Sequence, residues 1–104
     1  EVIGYQADMG QGWWGCLYDE SRRRTMLAKA DPAVIKKVLK MHDWNRYTIL
    51  CEGPRIRLYL NDTLTVDYKE ADPKIPLEGV IALQIHSGPP SEAWYRNIRL
   101  TPLK

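Results

Sequence analysis

The chain has 104 residues, 44% of them hydrophobic and 27% charged, with a formal net charge of +2. That size suits one domain, residues 1–104, with a modest core. The small charge, with basic and acidic residues interleaved, argues against nucleic acid, and no run of about 18 apolar residues exists to span a membrane.

Residues 2–9 alternate and stop at Gly10-Gln11-Gly12, a turn signal. Residues 13–20 follow, rich in aromatic residues, so the pair reads as a hairpin. Alternation places Gln6 and Asp8 on one side of the first strand, opposite Tyr5 and Ala7. Folding about residue 11 puts Asp8 near Trp14 and Glu20 near residues 2–3. Asp8 and Glu20 are then too far apart for a close glycosidase carboxylate pair. Trp13 and Trp14 are neighbours and point to opposite faces of a strand. One of them leaves the core and offers a stacking platform for a sugar ring. Arg22, Arg23 and Arg24 fall in a loop. They are either solvated or one of them forks onto a carboxylate or a substrate hydroxyl.

A short strand is expected near residues 25–28. Residues 31–39 are the one helical candidate, with Asp31 as cap and Pro32 at the first helical position. Residues 46–52 read as a strand with Tyr47, Ile49 and Cys51 on one side, and Trp44 is expected to anchor its start in the core. The clearest hairpin joins residues 55–60 and 63–69 through Asn61-Asp62, with Leu64, Val66 and Tyr68 on one side. Residues 93–100 form the closing strand, with Trp94 and Tyr95 in the core. The two cysteines, Cys16 and Cys51, lack zinc-ligand spacing and sit in apolar runs. They read as buried thiols, a disulfide being the alternative.

Residues 79–86 alternate most sharply. Ile81, Leu83 and Ile85 share a core face, whereas Val80, Ala82, Gln84 and His86 share the other. A histidine there is either a strand-end residue bonded to a loop or a general acid, base or metal ligand. Seven or eight short strands at regular spacing indicate an all-β antiparallel sandwich or barrel. Composition adds one bias: four Trp, six Tyr and no Phe. Rings with polar handles suit a core beside a wet groove, and also sugar stacking.

Several runs resemble a known family. They are Gly4-Tyr5-Gln6-Ala7-Asp8, Gly12-Trp13-Trp14-Gly15-Cys16-Leu17-Tyr18-Asp19-Glu20-Ser21-Arg22 and Asp43-Trp44-Asn45-Arg46-Tyr47, then Leu58-Tyr59-Leu60-Asn61 and Thr65-Val66-Asp67-Tyr68. Gly79-Val80-Ile81-Ala82-Leu83-Gln84-Ile85-His86 and Trp94-Tyr95-Arg96-Asn97-Ile98-Arg99-Leu100 complete the set. The resemblance is to the 3-keto-disaccharide hydrolase family, and it covers nearly the whole chain in order. It implies a concanavalin-like jelly roll of which this chain is the C-terminal part, lacking the N-terminal strands. It also implies a periplasmic or extracellular location. The chain opens as a strand in progress at Glu1-Val2-Ile3 and carries no signal peptide, so further sequence is expected upstream. A sandwich short of strands exposes sheet edges, which predicts a homo-oligomer or pairing with the missing N-terminal segment.

The resemblance sets Gln84 and His86 on a concave face near a carbohydrate. His86, Glu20 and Asp8 become the catalytic candidates, and Gln84, Gln6, Arg22, Trp13, Trp14 and Tyr18 the substrate contacts. No cofactor is certain; a divalent metal ion is the one candidate. A 3-keto group acidifies the sugar C2 proton, so a base and an electrophile suffice without a paired-carboxylate site. Two other readings stay open. One is a non-catalytic carbohydrate-binding module, which needs the tryptophan platform only. The other is a structural or interaction module that uses its open edge.

Overall fold

The computed structural model describes residues 2–85 and 92–103. Strand β1 (Gly4–Ala7) pairs antiparallel with β2 (Leu17–Glu20), and β3 (Met26–Ala28) adds to the other edge of β2. Helix α1 (Pro32–Val38) follows. Then β4 (Tyr47–Glu52), β5 (Arg55–Leu60) and β6 (Thr63–Lys69) make a second antiparallel sheet in chain order. The mostly-β expectation holds, with two three-stranded sheets and one short helix.

The β5–β6 hairpin forms where the sequence places it. Asn61 (φ 48°) and Asp62 (φ 68°) both adopt left-handed backbone, as a two-residue hairpin turn matching the strand twist requires. Asn61 also braces its surroundings. Its amide donates to the Val38 carbonyl at 2.7 Å, and its Oδ1 accepts from the Arg46 N–H at 2.8 Å. Between Leu58 and Tyr59 the register slips, so Leu58 faces Val66 but Tyr59 faces Leu64. The extra residue, Thr65, donates its hydroxyl to the Gly15 carbonyl at 2.9 Å, tying the hairpin to the first sheet. The slip corrects one expectation: Leu64 is exposed and does not share the side of Val66.

Helix α1 starts as predicted. The Asp31 carboxylate accepts from the Ala33 N–H at 2.9 Å, with Pro32 in the first turn. The core joins the sheets: Leu17 of β2 packs with Ile56, Leu58 and Val66, ringed by Tyr5, Ala7, Leu27, Tyr47 and Tyr68. Each such aliphatic side chain contributes roughly 1.5–3 kcal/mol on burial.

Four expectations are corrected. Residues 11–15 are a turn, so β2 begins only at Leu17; Gly12 and Gly15 take positive φ that breaks a strand. Residues 79–85 and 93–100 carry no strand, and their apolar residues are exposed: Ile81 at 74% and Leu100 at 74%, with Leu83 and Ile85 also open. Alternation fixes which face a strand would bury, but a strand also needs a neighbouring edge to receive its N–H and C=O groups, and none of the six strands pairs with these segments. Trp44 and Trp94 are exposed rather than in the core, and the Arg96 guanidinium lies 4.0 Å above the Trp44 ring. Cys16 is buried as expected, but Cys51 is exposed on β4, at the open edge of its sheet, and both thiols are free.

Candidate functional site

In an antiparallel pair, directly opposite residues share a face. Gln6 lies opposite Tyr18 and Gly4 opposite Glu20, so Gln6, Tyr18 and Glu20 look outward together. Tyr5 opposite Asp19 and Ala7 opposite Leu17 look into the core. Asp8 extends the outer row: its N–H donates to the Cys16 carbonyl at 3.0 Å, and the Gln6 amide donates to its carboxylate. Trp13 completes the group, edge-on to Tyr18 with ring centroids 6.1 Å apart and planes at 86°.

One face of the first sheet therefore gathers Gln6, Asp8, Trp13, Tyr18 and Glu20. Asp8 is buried, whereas Glu20 is half-buried and accepts from the Ser21 hydroxyl at 3.3 Å. Asp8 sits beside Cys16 and Glu20 four positions along the same strand, about 13 Å at the usual rise. The two carboxylates are too far apart for a glycosidase pair, as expected, but the hairpin register differs from the sequence reading: the turn is longer, so Asp8 lies across from Cys16 rather than Trp14 and Glu20 opposite Gly4 rather than residues 2–3.

The other predicted contacts go elsewhere. Trp14 stacks on Tyr47 at 6.4 Å with planes 28° apart. Gln84 is exposed in the irregular segment, its carbonyl accepting from the Tyr95 hydroxyl at 2.9 Å. His86 lies outside the described residues. Arg22 turns to the core side, where its Nε lies 2.9 and 3.1 Å from the Asp19 carboxylate oxygens and its Nη2 2.7 Å from one of them.

That core side holds a charged cluster that sequence reasoning did not assemble. Asp19 is fully buried (0%). Arg23 bridges it, with Nε 2.5 Å from Asp19, Nη2 2.6 Å and Nη1 3.1 Å from Glu70. The Tyr5 hydroxyl donates to the same Glu70 carboxylate at 2.6 Å, and both guanidiniums lie against the Tyr5 ring. Hydrogen bonding from Arg23 holds Glu70 down at about 2, helped by Tyr5. Burial pushes Asp19 up, but the hydrogen bonds from Arg22 and Arg23 outweigh it and its carboxyl stays below the usual range. Burial and the Glu70 carboxylate together push the Tyr5 phenol up to about 12. Part of this was legible: Asp19 shares its strand face with Leu17, and a carboxylate on a core face needs cations, which Arg22 and Arg23 supply next door. Glu70 gave no local signal.

A family model described as the 3-keto-alpha-glucoside-1,2-lyase-like domain matches residues 1–101. The chain belongs to that family. No curated protein and no solved structure matches it. In this lyase-like domain, three features are set by local pairing: the outward row Gln6–Tyr18–Glu20, Trp13 at its rim and the Asp19 clamp beneath. Among the described residues no three His, Cys, Asp or Glu side chains converge as a metal cluster would require.

Proposed function

We propose that this lyase-like domain binds a 3-keto-glycoside on the outer face of its first sheet and cleaves it by elimination. The observation that carries the reading is the grouping of an amide, two carboxylates and two aromatic rings on that one face. Trp13 offers a ring for the apolar side of a pyranose, and Gln6 and Tyr18 offer hydroxyl partners. The family membership supplies the substrate class. We extend it to the whole fold: a concanavalin-like jelly roll of which these two sheets are a part, working in a periplasmic or extracellular setting.

The chemistry needs no close carboxylate pair. The C3 ketone acidifies the C2 proton, which a base removes. The electron pair is held as the enolate and then forms the C1–C2 double bond as the C1–O bond breaks. The departing oxygen takes up a proton, and water adding across the double bond would complete a net hydrolysis. Glu20 is our base, because its carboxylate is half-buried on the open face, where it accepts from the Ser21 hydroxyl. Asp8 and Gln6 orient sugar hydroxyls, and His86 is kept as the second acid–base group. Arg22 is committed to Asp19 and steadies β2 rather than reaching the ketone. The described residues do not form a metal cluster, so no step is drawn through one.

The test is turnover of a 3-keto-glucoside by the protein with Glu20→Gln and His86→Ala variants. Glu20→Gln should lower kcat by at least about 100-fold with KM little changed. Full activity in both variants would overturn the assignment. A binding-only module is the second reading, favoured by the exposed Trp13 ring set edge-on beside Tyr18. It expects Trp13→Ala to weaken glycan binding while Glu20→Gln leaves it intact.

A further inference from the structure

Behind the Gly10–Gly15 turn lies a cavity of about 590 Å³ that shares none of the residues of the sugar face. Its walls include Trp14, Ile35, Leu39 and Met41, and among the described residues the charged side chains lining it are Lys29 and Lys36. The volume falls in the range of small-molecule sites, and the lining is the usual mixture of apolar wall and a few polar groups. Two further features say the groove is unfinished as it stands. Helix α1 has no buried residue, although Ile35 and Leu39 lie one turn apart on the groove side. A seven-residue helix has little stability of its own, and its apolar residues Val34, Ile35 and Val38, with Leu39 at its end, are only half-covered. The turn, moreover, presents glycine at Gly12, where an added Cβ would meet nothing within 4 Å, so no side chain from there fills the space.

We infer that this groove binds a flat apolar molecule carrying one negative charge, such as an aromatic carboxylate. The ring lies between Trp14 and the Ile35–Leu39 stripe, and the carboxylate is met by Lys29 and Lys36. Charge complementarity selects the anion: among the described residues no acidic side chain lines the groove, and Asp31, between the lining residues Ala30 and Pro32, has its carboxylate engaged with the Ala33 N–H. Long lysine side chains lay their stems on apolar surface and keep the ammonium at its margin, which suits a carboxylate at the groove mouth. The inference does not depend on the sugar reading, because the two sites share no residue.

The probe is 2-naphthoate, titrated into the 104-residue chain and followed by NMR at the Trp14 indole and Met41 methyl. Saturable shifts confined to the groove are expected, together with a rise in Tm, since a ligand bound only by the folded state stabilises it. The uncharged 2-naphthylmethanol should bind about tenfold more weakly. The exposed double variant Lys29→Gln/Lys36→Gln should lose a similar factor for naphthoate, two partly exposed ion pairs being worth on the order of tenfold together. Methyl signals of Leu58 and Val66 report that the variant is folded. Equal binding of acid and alcohol, an unchanged affinity in the double variant, or shifts spread over the whole chain would overturn the inference. So would the same shifts on raising protein concentration alone, which would assign the groove to a second copy.

Discussion

Arg23 is the residue whose loss the fold should feel most. Its guanidinium spans the fully buried Asp19 and the Glu70 carboxylate, which follows the last strand of the second sheet. Among the described residues, Arg23→Ala leaves Glu70 with the Tyr5 hydroxyl and the Asp72 N–H, and Asp19 with Arg22 and the residue-23 N–H. Stranding buried carboxylates in this way costs about 3 kcal/mol, to be read as a lower urea midpoint with unchanged slope. The same cluster sets a pH dependence. Glu70 titrates at about 2 in the folded chain against an ordinary 4.5, so the unfolded chain takes up the proton first. The stabilisation is complete above about 4.5 and is lost as pH falls toward 2. Wild type should unfold at distinctly lower urea at pH 3 than at pH 6, and Glu70→Gln should be weaker at pH 6 with a flatter profile across that window. An identical profile in the variant would remove Glu70 from the clamp. The shared side of Gln6 and Asp8 was legible from period-two alternation, whereas Tyr18 and Glu20 join them through the β1–β2 register. The Tyr5–Glu70–Arg23 contacts were not legible, because they join residues that only the docking of two sheets brings together.

Elements differ in how much of their structure is local. The β5–β6 hairpin was legible because its turn residues, its alternating apolar positions and its length all agree. The left-handed Asp62 (φ 68°) carries a conformational cost that glycine lacks, and its contact with Arg46 is a long, exposed 3.8 Å pair worth little. Asp62→Gly should therefore raise Tm, by roughly 0.5–1 kcal/mol in stability. Asn61→Ala should lower it by about 2 kcal/mol, because Asn61 also holds the Val38 carbonyl and the Arg46 N–H. Equal responses at the two positions would mean that Asn61 acts through its backbone alone. The 79–85 and 93–100 segments failed as strands for the opposite reason. In 79–85 Ile81, Leu83 and Ile85 recur at every second position as Ile56, Leu58 and Leu60 do in β5, but a ladder partner is a property of the whole sheet and leaves no mark in the segment itself. The Trp13–Trp14 pair lies between these cases. Gly10-Gln11-Gly12 before it gave a turn signal, yet the aromatic run argued for starting the strand at once, and the positive φ of Gly12 and Gly15 extended the turn.

At the scale of the whole molecule, the two sheets share a compact core around Leu17 and Leu58, while the described residues of 79–85 and 92–103 leave most of their large apolar side chains in water. Val80, Ile81, Trp94, Ile98 and Leu100 are all largely exposed among the described residues. The Tyr95–Gln84 hydrogen bond and the Arg96–Trp44 stack tie this portion to itself and to the segment leading into the second sheet without covering it. Soluble monomers rarely leave so many large apolar side chains open in one portion of the chain, and at roughly 25 cal/mol per Å² their burial against another surface is strongly favoured. The edge of β4 is also open, so a pairing chain would find both unpaired backbone groups and apolar side chains. The 104-residue chain should accordingly self-associate. Light scattering should give a mass that rises above 12.1 kDa with concentration. The double variant Ile81→Ser/Leu100→Ser should return it toward the monomer without altering the unfolding of the Leu17–Leu58 core, which neither residue joins. A stable monomer in the unmodified chain at high concentration would mean that these segments shield one another in solution, and the expectation of pairing would fail.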